Sequence, residues 1–305
     1  MKNFFLTGVS GLLGLNFFLN LKNNYRIYSL IHKKKISGIK NIKLKLQHSN
    51  KIKKFLLKKK INYFIHTAAI TNIENCEKNK KKANDTNVKL TLKLSKICDQ
   101  IGIKFIFVSS DHLFDGKKKF YNENDFTCPL NYYAKTKVEA EKKLLKHNPS
   151  CLIIRTNFFG FGPNYRKSFS DWIIDSLKNN QKIHVFKDVY FTPVSIDFLI
   201  KSLVKIIDKN ISGIINISSD KKISKYDFAL KLAKKFKLNH KLIIPSFFSE
   251  IKKKNNLVNR PKNMSLNNKK LKSTLNLKYI DIDNMINSLY LSRKSKTVLS
   301  IKKIK

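Results

Sequence analysis

Acid is scarce in this 305-residue chain: 20 Asp and Glu stand against 63 Lys and Arg, a formal charge of +43. A groove built for nucleic acid gathers its cations into one or two segments with interleaved aromatics. Here the lysines run along nearly the whole sequence, which is the pattern of a general compositional bias. Nonspecific adsorption to polyanions at low salt is expected, and specific nucleic-acid binding is not. Cysteine is equally sparse. Cys76, Cys98, Cys128 and Cys151 form no C-x-x-C pair or other metal-ligand spacing, so no metal site is expected. Free thiols in a chain of this length fit a reducing compartment. No apolar run reaches the roughly 18 residues that span a bilayer, which excludes membrane insertion by a helix. The first residues, Met1-Lys-Asn-Phe-Phe-Leu, imitate a short signal peptide, yet no small-x-small cleavage site follows them. The expectation is a cytoplasmic protein.

What is present is a rhythm of short apolar runs alternating with longer amphipathic segments. That alternation argues for βαβ units and a parallel sheet, an α/β fold of the Rossmann type with a smaller C-terminal substrate lobe. Strands are expected at Asn3–Thr7, Arg26–Ile31, Tyr63–Thr67, Lys104–Ser109 and Cys151–Arg155, each short and apolar enough for burial on both faces. Helices are expected at Thr86–Gln100 and Tyr132–Lys146. A further strand is read at Gly213–Ile217, then a helix at Tyr226–Phe236 with Ser224 as its N-cap. Residues 1–157 should form the dinucleotide-binding core, with strands from about 183–217 returning to it. Segments 158–182 and 218–290 should build the lobe, with the sole tryptophan, Trp172, in its core, and 291–305 a frayed basic tail.

The chain opens with Phe4-Phe-Leu-Thr-Gly8-Val-Ser-Gly11-Leu-Leu-Gly14, where a first strand turns into a first helix. Glycines at such a turn let backbone approach a pyrophosphate, whose charge faces the helix N-terminus. Gly8, Ser10, Gly11, Leu12, Leu13 and Gly14 are therefore candidate cofactor contacts. His66-Thr67-Ala68-Ala69 ends another strand in small residues, so Ala68 and Ala69 leave room for a cofactor crossing the sheet edge. Specificity for NAD needs an acidic residue about 20 positions beyond the glycines, to hold the ribose 2′-hydroxyl. No Asp or Glu precedes Glu74, and the second strand runs instead into His32-Lys33-Lys34-Lys35. Cations there attract a 2′-phosphate, which favours NADP(H), with His32 and Lys33 as contacts. NAD(H) stays open as the alternative cofactor.

Tyr133 and Lys137 lie four apart in the run Pro129-Leu-Asn-Tyr-Tyr-Ala-Lys-Thr-Lys137, on one face of an expected helix. A phenol of pKa about 10 is a poor acid-base group at neutral pH, and a cation one turn away lowers that value. Tyr132 has Thr136, not lysine, four residues on, so Tyr133 is the better acid-base candidate. The polar strand end Ser109-Ser110-Asp111 precedes it by some two dozen residues.

Taken in order, these motifs resemble the extended short-chain dehydrogenase/reductase superfamily, and within it the dTDP-4-dehydrorhamnose reductase branch. The resemblance spans about residues 1–290. It rests on the glycine turn, Ala68-Ala69, Ser109-Ser110-Asp111-His112-Leu113-Phe114-Asp115-Gly116, the Tyr133 segment, Arg155-Thr156 with Gly160, and Arg260-Pro261-Lys262 ahead of Ser265-Leu266. It implies that Tyr133 protonates a substrate carbonyl as hydride arrives, that Lys137 tunes the tyrosine and binds the nicotinamide ribose, and that Ser110 contacts the same oxygen. Ser109 joins the cofactor contacts. Ser110, Asp111, His112, Arg155 and Arg260 become substrate candidates, although Arg155 reads equally well as a strand-end ion pair. Arg260 is the candidate for a diphosphate, because a guanidinium fork matches phosphate.

Related 4,6-dehydratases need an Asp-Glu pair after the strand-end hydroxyl, and here His112 follows Asp111. The implied activity is NADPH-dependent reduction of a nucleotide-linked 4-keto-6-deoxy sugar. Two alternatives stay open: a nucleotide-sugar epimerase, and a non-catalytic NADP-binding subunit resembling the regulatory subunit of methionine adenosyltransferase. A homodimer is also left open. His112 departs from the tyrosine usual in the reductases, and Gln47-His48 from an acid that approaches the adenine.

Overall fold

The computed structural model describes residues 1–30, 41–42 and 48–304, with backbone alone at 41–42. Its centre is a parallel sheet. β1 (Asn3–Thr7), β2 (Arg26–Leu30), β3 (Asn41–Ile42), β4 (Tyr63–His66), β5 (Lys104–Val108) and β6 (Leu152–Thr156) enter it in turn. The chain then leaves the sheet through β7 (Phe158–Phe159), β8 (Ile183–Phe186), β9 (Tyr190–Phe191) and β10 (Val194–Ser195), and returns as β11 (Gly213–Ile217). The spatial order is β11-β6-β5-β4-β1-β2-β3, every pairing parallel. Connections run outward in opposite directions from the β1/β4 junction, and this switch point is where doubly wound sheets bind ligands.

Alternation along each strand explains why the sheet is buried twice over. Phe4 and Leu6 face one core and Phe5 the other; Ile65 and Phe64 divide in the same way. Each of these side chains is fully buried. His66, at the end of β4, is no catalytic group. Its ring bridges Thr7 Oγ1 at 2.7 Å and Thr91 Oγ1 at 3.0 Å, and burial first, then the charge of Lys137, pulls its pKa down to about 3.

The lobe has short strand pairs rather than a second sheet. β7 pairs β10, β9 pairs β12 (Ile223–Ser224), and β8 pairs β13 (Ile243–Ser246). Phe159, Phe169 and Phe191 pack edge or face against Phe228 at 5.1–5.9 Å between centroids. Of the 183–217 segment, then, only β11 joins the central sheet. Ile183–Phe186 alternates buried and exposed residues and pairs inside the lobe instead.

Two further expectations are corrected. Trp172 is 38% exposed, stacked on Phe169, and so lies outside the core. The basic tail is ordered: Ser295 caps a helix Lys296–Lys303 whose Val298 and Ile301, three apart, are buried against the main core. No helix among the described residues is long and apolar enough to cross a membrane.

Candidate active site

A cavity of about 1250 Å³ opens where β1, β4 and β5 end. Gly8, Ser10, Gly11, Leu12, Leu13 and Gly14 form one wall, Ala68 and Ala69 the floor, and Ser109, Ser110, Asp111, His112, Tyr133 and Lys137 the far side. Two glycines are obligatory in that first wall. Gly8 sits at φ +76°, and a Cβ there would lie 2.6 Å from Thr67 Oγ1; one on Gly14 would lie 2.3 Å from the Gly8 carbonyl oxygen. Gly11 caps the helix Leu12–Leu21 with no side chain, so the first turn's amides keep their donors for a ligand. Bare backbone donors at a helix N-terminus fit a dinucleotide pyrophosphate. His32 and Lys33 lie outside the described residues.

The helix Tyr132–His147 carries Tyr133 and Lys137, the candidate acid-base pair. Asn131 caps it by accepting from the Ala134 amide at 2.9 Å, and Glu77 accepts from the Tyr132 amide at 2.9 Å. Asn87 ties this helix to the cavity floor, donating to Thr136 Oγ1 and to the Ile70 carbonyl while accepting from the Ile70 amide. It can do so because Asp85–Lys89 is a π-helical turn, which rotates Asn87 inward. Nothing in the residue spacing pointed to this turn.

Tyr133 lines the cavity; Tyr132 does not, and its ring takes the Lys80 ammonium at 5.7 Å. The expected lowering of the tyrosine pKa is not found. Burial pushes it up to about 12, the Ser110 hydrogen bond opposes that, and the nearby Asp111 charge adds to it. Lys137 Nζ donates instead to the Val108 carbonyl at 2.7 Å and sits 4.0 Å from the Phe107 ring centroid. Burial lowers Lys137 to about 7, with Glu141 acting the other way. The Lys137 charge does not offset the burial of Tyr133.

Beside the pair, Asp111 is 2% exposed and accepts from Asn157 Nδ2 at 2.8 Å. His112 approaches Tyr133 edge-on, and burial lowers its pKa. From the lobe, Arg166 and Lys225 complete the wall, and neither was foreseen. Lys225 follows the N-cap Ser224, with Nζ 3.4 Å from the Phe191 ring centroid. Burial lowers it to about 8, opposed by Asp111.

Two substrate candidates lie elsewhere. Arg155 does not line the cavity: it is buried in an ion pair with Glu141 at 2.7 Å and donates to the Glu123 carbonyl. The ion-pair reading holds there, because a guanidinium in the core needs a carboxylate. Arg260 pairs with Glu74 outside the cavity wall, and only its charge reaches His112 and Lys225. Among the described residues no cluster of His, Cys, Asp and Glu could hold a metal.

The sheet order, the glycine turn and the Tyr133–Lys137 helix define an extended short-chain dehydrogenase/reductase. Within that superfamily the chain belongs to the RmlD substrate binding domain family, which matches residues 1–291. It is 27% identical to the dTDP-4-dehydrorhamnose reductase of Aggregatibacter actinomycetemcomitans over 76% of this chain and 78% of that one. Methionine adenosyltransferase 2 subunit beta of Bos taurus is 26% identical over 76% and 72%. The probable low-salt glycan biosynthesis reductase Agl14 of Haloferax volcanii is 28% identical over 56% of this chain, which spans 59% of that protein's length. Among solved structures, a hypothetical dTDP-4-dehydrorhamnose reductase from Sulfolobus tokodaii superposes with TM-score 0.80 at 27% identity, covering 93% and 99%. The Bacillus anthracis dTDP-4-dehydrorhamnose reductase, in complex with NADP, shares the fold at TM-score 0.84 and 21% identity, covering 96% and 100%.

Proposed function

We propose that this chain is an NADPH-dependent reductase of a nucleotide-linked 4-keto-6-deoxy sugar, supplying a deoxysugar for polysaccharide synthesis. The observation that carries the reading is the convergence of Tyr133, Lys137 and Ser110 on one cavity with the Gly8–Gly14 turn. A dinucleotide bound along the Gly8–Gly14 turn would supply the hydride that reduces the carbonyl carbon. Tyr133, protonated across the physiological range, gives the carbonyl oxygen its proton, so that C=O becomes CH–OH. Ser110 shares the same oxygen and steadies the developing charge. Lys137 holds the ribose of the cofactor while its own ammonium is held by the Val108 carbonyl.

Asp111 without a following glutamate favours reduction over dehydration, since elimination of water needs a second carboxylate beside the first. NADP(H) is supported by the absence of any acid before Glu74 and by Lys93 on the cavity wall with Leu30, while Lys89 on that wall pairs with Asp85 at 2.8 Å. Arg166 and Lys225 offer cations to the nucleotide-linked substrate. The test is consumption of NADPH with dTDP-4-keto-6-deoxy sugars, Tyr133→Phe serving as control. Turnover by wild type alone supports the reading; equal turnover by the variant removes Tyr133 as proton donor.

A second reading has one observation in its favour, the likeness to methionine adenosyltransferase 2 subunit beta across 72% of that protein's length. On that reading the cavity binds NADP(H) without turnover and the chain regulates a synthetase. Stoichiometric co-purification with such a synthetase, together with NADPH binding and no consumption of any keto sugar, would establish it.

A further inference from the structure

The loop 160–168 borders the cavity as a strap. Arg166, Lys167 and Ser168 line the cavity from it. Tyr165 donates its hydroxyl hydrogen to the Ser10 carbonyl at 2.9 Å, inside the glycine turn, and Arg166 donates to Thr71 Oγ1 at 2.9 Å beyond the end of β4. The strap thus touches both edges of the groove in which the dinucleotide would lie.

One carboxylate holds the strap's shape. Asp171 is 1% exposed, and its Oδ2 accepts from the Gly162 amide at 2.6 Å, the Ser168 amide at 3.0 Å and the Ser168 hydroxyl at 3.0 Å. Its other oxygen, Oδ1, takes the Lys302 ammonium at 2.7 Å. The Lys302 carbonyl in turn accepts from Asn164 Nδ2 at 2.8 Å, on the strap itself. Lys302 belongs to the helix Lys296–Lys303, pinned to the core through Ile301 and lying beyond the residues that the family matches. A carboxylate so deeply buried needs a fixed countercharge, and the helix delivers one to this point.

We propose that Lys302 is a positioning residue for dinucleotide binding: the helix Lys296–Lys303 clamps the strap, through Asp171 and Asn164, against the cofactor groove. The inference rests on the dinucleotide reading of the cavity. It predicts that cofactor affinity is set partly by a residue that never touches the cofactor.

The test is titration of the full chain with NADPH, followed by nucleotide fluorescence, alongside thermal unfolding. Lys302→Met raises the NADPH Kd by about tenfold, as expected when a binding wall loses its registration. Lys302→Arg restores wild-type affinity because it keeps the ion pair, and Asn164→Ala, which leaves that pair intact, still weakens binding by about threefold. A Lys302→Met protein that unfolds earlier yet binds NADPH as wild type does would overturn the clamp and leave a merely structural lysine. Equal weakening by Lys302→Met and Lys302→Arg would also overturn it. No NADPH binding by wild type would bring down the dinucleotide reading and the clamp together.

Discussion

The two walls of the cavity are made by different means. The core wall consists of strand ends and one helix, where backbone turns and small residues do the shaping. Gly8, Ala68 and Ser110 each lie within two residues of the end of a buried strand, so their position is set by chain direction. The lobe wall is a strap and a helix N-terminus, Arg166 and Lys225, held in place by caps, a buried carboxylate and aromatic packing. The first wall is local in sequence and legible from it. The second depends on contacts across more than a hundred residues, as between Asp171 and Lys302. One wall of a cavity can therefore be spelled out by short local segments while the other is assembled from contacts far apart in the chain.

The core side should show the largest loss. Tyr133→Phe lowers turnover by about 10²–10⁴-fold, the usual worth of a placed general acid, with NADPH affinity nearly unchanged. Steady-state rates against fluorescence titration separate the two, and parallel losses in both would mean that the tyrosine chiefly shapes the site.

Next comes a purely structural cation. Arg155→Met leaves Glu141 buried without its partner and destabilises the fold by about 3–5 kcal/mol, while activity per folded molecule is kept. Urea midpoints and active-site titration would check it. A wild-type midpoint with weakened substrate binding would instead move Arg155 into the site.

His66 contributes to the acid limb. Its folded pKa of about 3 lies below the unfolded value of about 6.5, so the unfolded chain binds the extra proton first as pH falls. Stability contributed by the neutral ring is complete above about pH 6.5 and is lost progressively as pH falls toward 3. His66→Gln flattens that limb in unfolding experiments between those values, and an unchanged slope would assign the acid sensitivity elsewhere.

The smallest effect tests the lobe wall. Lys225→Met raises KM for the nucleotide sugar by about tenfold and leaves kcat within a few-fold, because uniform binding and not the transition state is lost. A second signature follows from its pKa. The folded value of about 8 lies below the unfolded value of about 10.4, so the native state holds fewer protons between them. Stability rises with pH across that window in wild type, and the variant loses this rise. A drop in kcat alone would place Lys225 in the chemistry and blur the contrast between the walls.

Much of this was legible in the residues. Strand β1 runs over the residues expected, β11 likewise, and Ser224 does cap the helix read just after it. Those elements are carried by apolar runs and capping side chains, which are local signals. The glycine turn, the strand ends and the Tyr133–Lys137 helix were read as one site and do share one cavity. Residue chemistry leaves Arg155 open between an ion pair and a substrate contact, and draws Arg260 toward a diphosphate. Their carboxylate partners, Glu141 and Glu74, lie 14 and 186 residues away and could not be paired from spacing. The tail was read as frayed because its basic composition hides Val298 and Ile301, whose burial only the packed core reveals. The tyrosine pKa went the wrong way for a related reason: helical spacing places a cation nearby, whereas burial decides the sign.

By itself, then, the sequence determined most of the sheet's strands, the glycine turn and the Tyr133–Lys137 spacing, since each follows from periodicity or from residue types a few positions apart. Tertiary structure alone decided which cations stand in the cavity and which lie buried in ion pairs. It also decided what Tyr133 and Lys137 hold as protons, and that residues near 300 brace a loop near 165. Desolvation and pairing across distant segments have no signature along the chain. They arise only once the sheet has brought those segments together.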